Sequence, residues 1–211
     1  MKRIIVADDH SFVRLGLIQI LKDEYPQAEI KEVGDGESLV KEVMQQDWDL
    51  VISDLDMPGR SGLEALEQIK LIKPALPVII LSIYSEDLYA LRALKAGASG
   101  YLNKNAAPYE LIKAAERVLM GRKYITPELA EKLLELGDTS KPHEKLTNRE
   151  FEIFKMLAAG KTISQIAETL SLAMTTVSTH RSHILEKLGL GTNAELTRYA
   201  IAHHIISDIR N

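Results

Sequence analysis

Residues 50–59 read Leu-Val-Ile-Ser-Asp-Leu-Asp-Met-Pro-Gly. Leu50–Ser53 is a short, nearly all-apolar run that ends on a carboxylate, and Met57-Pro58-Gly59 then forces a turn. Such a run reads as a strand buried on both faces, the situation inside a parallel sheet. Working outward, Arg3–Ala7, Glu29–Val33, Val78–Ile83 and Gly100–Leu102 read as four more strands. Helical spacing of apolar residues fills the gaps at Phe12–Leu21, Ser38–Met44, Leu63–Ile72 and Leu88–Ala96, and again at Tyr109–Met120. Repeated strand–helix units predict a doubly wound α/β domain with right-handed crossovers. Ligands of such sheets sit at the carboxyl ends of the strands.

Beyond residue 120 the pattern changes. Gly121 stops the fifth helix, and Thr126-Pro127-Glu128 opens a short one running to about Leu136. Gly137–His143 is small, polar and proline-containing, a linker composition. Thr147-Asn148-Arg149-Glu150 and Thr162-Ile163-Ser164-Gln165 each fit the capping box that starts a helix. A third helix covers about Met174–Leu188 and a fourth starts near Thr192 or Asn193. The expected organisation is therefore 1–122, a 123–143 linker with a short helix, and an all-helical 144–211.

The chain has 211 residues, a length that suits two domains, and a formal net charge of −4. Residues 144–211 hold 8 Lys+Arg and 7 Asp+Glu, so the acidic excess lies in residues 1–143, with 18 and 23. With no Cys, a disulfide framework, a thiolate zinc site and a Cys nucleophile are excluded. No apolar run approaches the ~20 residues needed to span a bilayer, and the N-terminus runs into acid at Asp8 rather than into a signal-peptide core. A soluble cytoplasmic protein without membrane contacts is expected.

Asp8 and Asp9 follow the first strand and Asp54 the third, neighbours in this winding, so three carboxylates meet at one sheet edge. Their mutual repulsion costs several kcal/mol unless something positive neutralises it. Mg²⁺ suits carboxylates, waters and a phosphoryl oxygen, and Asp is a nucleophile that forms acyl phosphates. Ser82, at the end of the fourth strand, and Lys104, after the fifth, place a hydroxyl and an ammonium at the same edge.

Asp8-Asp9, the string Asp54-Leu55-Asp56-Met57-Pro58-Gly59, Ser82, Gly100-Tyr101 and Lys104 resemble a response-regulator receiver domain over residues 1 to about 120. Lys145-Leu146-Thr147-Asn148-Arg149-Glu150 through Leu185-Glu186-Lys187-Leu188-Gly189-Leu190 resemble the LuxR-type helix-turn-helix. The pairing is similar to NarL/FixJ-type two-component regulators. It implies a five-stranded, parallel, flavodoxin-like receiver followed by a small all-α helix-turn-helix domain. It further implies Asp54 as phosphoacceptor for a sensor histidine kinase, with Mg²⁺ held by Asp9, Asp54 and the Asp56 backbone carbonyl and by Asp8 through water. Lys104 would pair with the phosphoryl group, and Ser82 and Tyr101 would form the switch pair.

At ~100° per residue, Val177, Ile184 and Leu188 share one face of the third C-terminal helix, while Thr175, Ser178, Thr179 and Ser182 project from the opposite side. A stripe of small polar side chains suits a helix in the major groove of a double-stranded DNA operator. Thr176 and Lys187, on a flank, are candidate phosphate contacts. Ala173 stands where the family commonly has Ser, and the base-facing positions lack Lys and Arg. Weak counterion release from one copy makes a homodimer, formed on phosphorylation and bound to two half-sites, the expected DNA-binding form. An enzyme is the competing class, because Asp54-Leu55-Asp56 matches the DxD of haloacid-dehalogenase-type phosphatases. That motif belongs after the first strand, however, and no cap insertion is visible. A nucleotide-binding role lacks its Gly-rich turn.

Overall fold

The computed structural model describes residues 1–84, 86–127, 129–131 and 141–206. The chain divides into two compact units, Met1–Glu135 and Leu136–Asn211. In the first, strands β1 (Arg3–Ala7), β2 (Glu29–Val33), β3 (Leu50–Asp54), β4 (Val78–Ser82) and β5 (Gly100–Asn103) alternate with five helices. These are α1 (Ser11–Glu24), α2 (Gly36–Gln45), α3 (Gly62–Ile72), α4 (Glu86–Lys95) and α5 (Ala107–Leu119). The strands form one sheet in the order β2-β1-β3-β4-β5, every pair parallel, as the sequence predicts.

β1, β3 and β4 are buried nearly throughout, which is why their sequences do not alternate. β2, at the sheet edge, is exposed at Glu29, Lys31 and Glu32 and reads more polar. On one face Ile4, Val6, Leu50, Ile52, Ile79, Leu81 and Leu102 pack with Leu17 and Leu21 of α1 and with Leu111, Ala114 and Val118 of α5. Each such side chain contributes roughly 1.5–3 kcal/mol on burial. Helix starts are locally encoded. The Asp35 side chain accepts from the Ser38 N–H, and Ser61 and Glu64 form a reciprocal capping box. Gly121, at φ +74°, follows α5 as expected. Thr126 Oγ1 accepts from the Leu129 N–H at 3.2 Å, as expected of a helix start, and residues 129–131 are helical; residues 132–136 of the expected helix and most of the linker lie outside the described residues.

Three strand ends differ from the sequence reading, one of them β5, which runs on to Asn103 because that residue still pairs with Ser82. β3 runs one residue further because Asp54 still pairs with Leu81. β4 stops at Ser82, and Ile83 turns into solvent at 65% exposure.

The second unit begins with a 3-10 turn at Pro142–Lys145, followed by α6 (Asn148–Ala158), α7 (Ile163–Thr169), α8 (Met174–Leu188) and α9 (Asn193–Ala202). Capping boxes at Thr147/Glu150, Thr162/Gln165 and Thr192/Glu195 start three of these helices. α8 starts at Ala173 without a side-chain cap. Phe151, Phe154, Ile166, Val177, Ile184 and Leu196 are fully or almost fully buried and form the core. The linker composition extends through His143, but His143 is buried in this unit, with Nδ1 3.1 Å from the Tyr199 hydroxyl and its ring against Phe151 and His203.

Candidate functional site

The sheet order sets β1 beside β3, with Ala7 opposite Ser53, so the residues that end these strands share a pocket. Asp8 is fully buried and Asp54 is 3% exposed. The Lys104 backbone N–H donates to the Ser82 carbonyl at 2.8 Å, which carries its side chain back over the sheet edge. Its ammonium bridges the two acids, 2.7 Å from Asp54 Oδ2 and 2.8 Å from Asp8 Oδ2. It donates a hydrogen bond to Asp54. Its approach to Asp8 lies off the hydrogen-bond direction, leaving that buried Oδ2 in contact with a charge but without a donor.

Burial pushes the Asp54 carboxyl up to about 6, against the opposing pull of Lys104; neighbouring Asp8 adds to the rise and a hydrogen bond from the Asp56 backbone opposes it. Burial disfavours the Lys104 ammonium as well, yet its hydrogen bond to Asp54 and the negative charges of Asp54 and Asp8 outweigh that and hold it above the ordinary lysine range. One ammonium does not balance three carboxylates. Ligand atoms of Asp8, Asp9, His10 and Asp54 all lie within 4.8 Å of one another. A donorless buried carboxylate oxygen within a cluster of hard oxygen atoms fits a divalent cation of the Mg²⁺ type.

His10 is the participant that the sequence reading passes over. Its Nδ1 lies 2.7 Å from Asp9 Oδ1 and 3.6 Å from Asp8 Oδ1, and its backbone N–H donates to Asp8 Oδ1 at 2.8 Å. Its place directly after the acidic pair is the available signal. Arg14 also contributes, donating to the Asp8 carbonyl at 2.6 Å.

Beside the pocket, buried Ser82 accepts from the Tyr84 N–H at 3.0 Å. The Tyr84 carbonyl in turn accepts from the Tyr101 hydroxyl at 3.3 Å and from Asn103 Nδ2 at 3.2 Å. Tyr101 is fully buried. Ser82 and Tyr101 thus meet through one loop residue, Tyr84, rather than directly. Asp56 is exposed.

In the second unit, Val177, Ile184 and Leu188 of α8 face inward, joined by Leu185, while Thr175, Thr176, Ser178, Thr179 and Ser182 are exposed. Thr179 and Ser182 donate their hydroxyls back to the Thr175 and Ser178 carbonyls at 3.0 and 3.2 Å, so reading a base edge as donors requires rotation about χ1. Lys187, expected as a phosphate contact, is exposed, and its ammonium lies 2.6 and 2.8 Å from the two carboxylate oxygens of Glu150, the buried member of the α6 capping box, so within the fold it pairs α8 with α6. Helical phase alone placed it on the flank; the partner that claims it is 37 residues earlier in the chain.

Comparison with known proteins agrees with both units. The response regulator receiver domain model matches residues 4–116 and that of bacterial regulatory proteins of the luxR family matches 144–200. The chain is a response regulator of the NarL/FixJ type. It is 34% identical over 207 residues to the response regulator UvrY of Escherichia coli K12, covering 96% of this chain and 95% of that one. It is 35% identical over 214 residues to the oxygen regulatory protein NreC of Staphylococcus carnosus, covering 97% and 99%. Among solved structures it resembles RcsB from Salmonella enterica serovar Typhimurium bound to promoter rprA with the phosphomimetic BeF3⁻. The TM-score is 0.65, with 26% identity and 94% and 98% of the two chains covered. This regulator therefore joins a receiver domain to a LuxR-type DNA-binding domain. None of its helices among the described residues is long and apolar enough to cross a membrane.

Proposed function

We propose that Asp54 is the phosphoacceptor of this regulator and that its phosphorylation controls operator binding in the cytoplasm. The observation that carries this reading is the buried pair of Asp8 and Asp54 drawn onto the single Lys104 ammonium. A structural salt bridge needs one acid, and the second carboxylate, Asp8, keeps one buried oxygen without a hydrogen-bond donor, an arrangement that suits the entry of further positive charge and a phosphoryl group.

The donor is the phosphohistidine of a sensor histidine kinase. One Asp54 carboxylate oxygen attacks phosphorus, the P–N bond breaks, and its electron pair stays on the imidazole nitrogen, which takes up a proton from water. Asp9, Asp54 and the Asp56 carbonyl would hold Mg²⁺, with Asp8 behind a water. When bound, Mg²⁺ supplies positive charge that offsets the negative charge building on the phosphoryl oxygens. Lys104 moves from pairing carboxylates to pairing a phosphoryl oxygen, within reach of the same ammonium. Ser82 exchanges its Tyr84 N–H partner for the phosphoryl group, and because Tyr84 also holds Tyr101, the β4–α4 loop and β5 respond together. α8 then meets the major groove with Thr175, Thr176, Ser178, Thr179 and Ser182, as a homodimer on two half-sites.

Acetyl phosphate with Mg²⁺ tests the acceptor. The expected result is one acid-labile phosphoryl group per chain, absent in Asp54→Asn. Catalytic turnover of a phosphomonoester without a stable phosphoprotein would replace the switch with a phosphatase.

A further inference from the structure

At the opposite, amino-terminal edge of the sheet, where β4 and β5 begin, lies a cleft of about 390 Å³. Lys70 at the end of α3, Pro74 and Pro77 of the α3–β4 turn, Ser99 before β5, and Arg122 and Lys123 after α5 line it, and no carboxylate does. Three cations thus gather in the part of the chain that carries the acidic excess, residues 1–143.

The Lys70 ammonium is fixed by the backbone around it, and the exposed Arg122 and Lys123 side chains spring from an anchored segment. The Lys70 ammonium donates to the carbonyls of Pro74 and Leu76 at 3.3 and 2.6 Å. Its stem occupies space that only a glycine leaves at position 97, where an added Cβ would come within 3.1 Å of Lys70 Cγ. Arg122 and Lys123 sit on a segment held from both sides. The Arg122 N–H closes on the Arg117 carbonyl at 3.0 Å, and the Tyr124 N–H donates to the Ser99 carbonyl at 2.8 Å. Burial, with the neighbouring Lys123 charge second, pushes the Lys70 ammonium below the ordinary lysine range. Among the described residues no ion pair engages Lys70, Arg122 or Lys123.

We propose that this cleft binds a small polyphosphorylated molecule of about nucleotide size. The volume falls within the ~300–1,000 Å³ of small-molecule sites. Clustered cations with no carboxylate between them gain most from a ligand carrying several negative charges close together. The prolyl rings give an apolar wall for the remainder of such a ligand, and Ser99 adds a hydroxyl. The site is separate from Asp54 and does not depend on the phosphorylation reading.

Isothermal titration calorimetry of the full chain in EDTA, at 150 mM NaCl, with pyrophosphate and with ATP as probes, tests the proposal. Saturable one-site binding of at least one probe is expected, weakened at least tenfold in Arg122→Gln/Lys123→Gln and in Lys123→Glu. Tighter binding of ATP than of pyrophosphate assigns the prolyl wall to a base or sugar; equal binding assigns the site to the phosphate chain alone. Wild-type chain that binds neither probe, or variants that bind as wild type does, would overturn it. So would variants that lose affinity only for random-sequence duplex DNA, since the patch would then be a DNA contact. Fluorescence melting of Trp48, the single tryptophan, confirms that the variants are folded.

Discussion

Replacing Asp54 by Asn should make the receiver more stable, although it removes a charge-assisted hydrogen bond. Burial lifts this carboxyl from 3.8 to about 6 even with Lys104 attached. The sign follows from proton linkage: the native state holds the proton more tightly than the unfolded chain, so ionised Asp54 opposes folding. Above pH 6 the whole deficit is present, about 3 kcal/mol at 1.36 kcal/mol per pH-unit difference. It shrinks as pH falls through 6 and vanishes below 3.8, where the group is protonated in both states. The carboxamide introduced by Asp54→Asn would mimic the protonated carboxyl at every pH. Urea unfolding in EDTA, followed by fluorescence of the single tryptophan, Trp48, isolates the receiver, because that residue is buried there, beside β3. Asp54→Asn should gain about 3 kcal/mol at pH 7.5 and roughly half that at pH 5. An unchanged or destabilised variant at pH 7.5, or an equal gain at both values, would refute the claim that Asp54 sits under electrostatic strain.

Three other substitutions probe separate parts of the account. Gly62→Ala would put Cβ 1.9 Å from the Asp54 carbonyl oxygen; the receiver should lose about 3 kcal/mol by the same urea assay. In the second unit, Lys187→Ala leaves the buried Glu150 carboxylate without its cation and should lower the melting temperature seen by circular dichroism, while leaving the salt dependence of DNA binding unchanged. The bonds that Glu150 makes to Lys187 and Thr147 outweigh its burial and hold its carboxyl below the ordinary glutamate range, so this stabilisation is full above that range and fades as pH falls through and below it. Finally, Thr179→Ala/Ser182→Ala should weaken operator binding about tenfold or more in a gel-shift titration. Its stability should change by about 0.5 kcal/mol or less, because both side chains are exposed.

What could be read from the chain alone follows from which forces are local. Buried strands and capped helix starts announce themselves within a few residues, so Arg3–Ala7 and Met174–Leu188 emerge with the bounds the structure gives. The convergence of Asp8 and Asp54 on Lys104 was accessible because sheet order follows from winding. Side-chain partnerships across the chain were not. Periodicity gives Lys187 an outward phase and contains nothing about Glu150; likewise the His10 contact with Asp9 depends on a ring orientation that only packing sets. Leu185 lies at the border of the buried face of α8, where angle alone does not decide, and contact with the rest of the bundle does. His143 reads as linker because its neighbours are polar, yet the aromatic cluster of Phe151, Tyr199 and His203 takes it in.

The most direct measurement of the central claim is operator affinity with and without beryllofluoride and Mg²⁺, on a DNA fragment selected by the full-length protein. Wild-type chain should tighten by an order of magnitude or more and shift to a two-copy complex, while Asp54→Asn stays at its basal affinity. Equal tightening in both proteins, or none in either, would contradict control of the DNA-binding domain through Asp54.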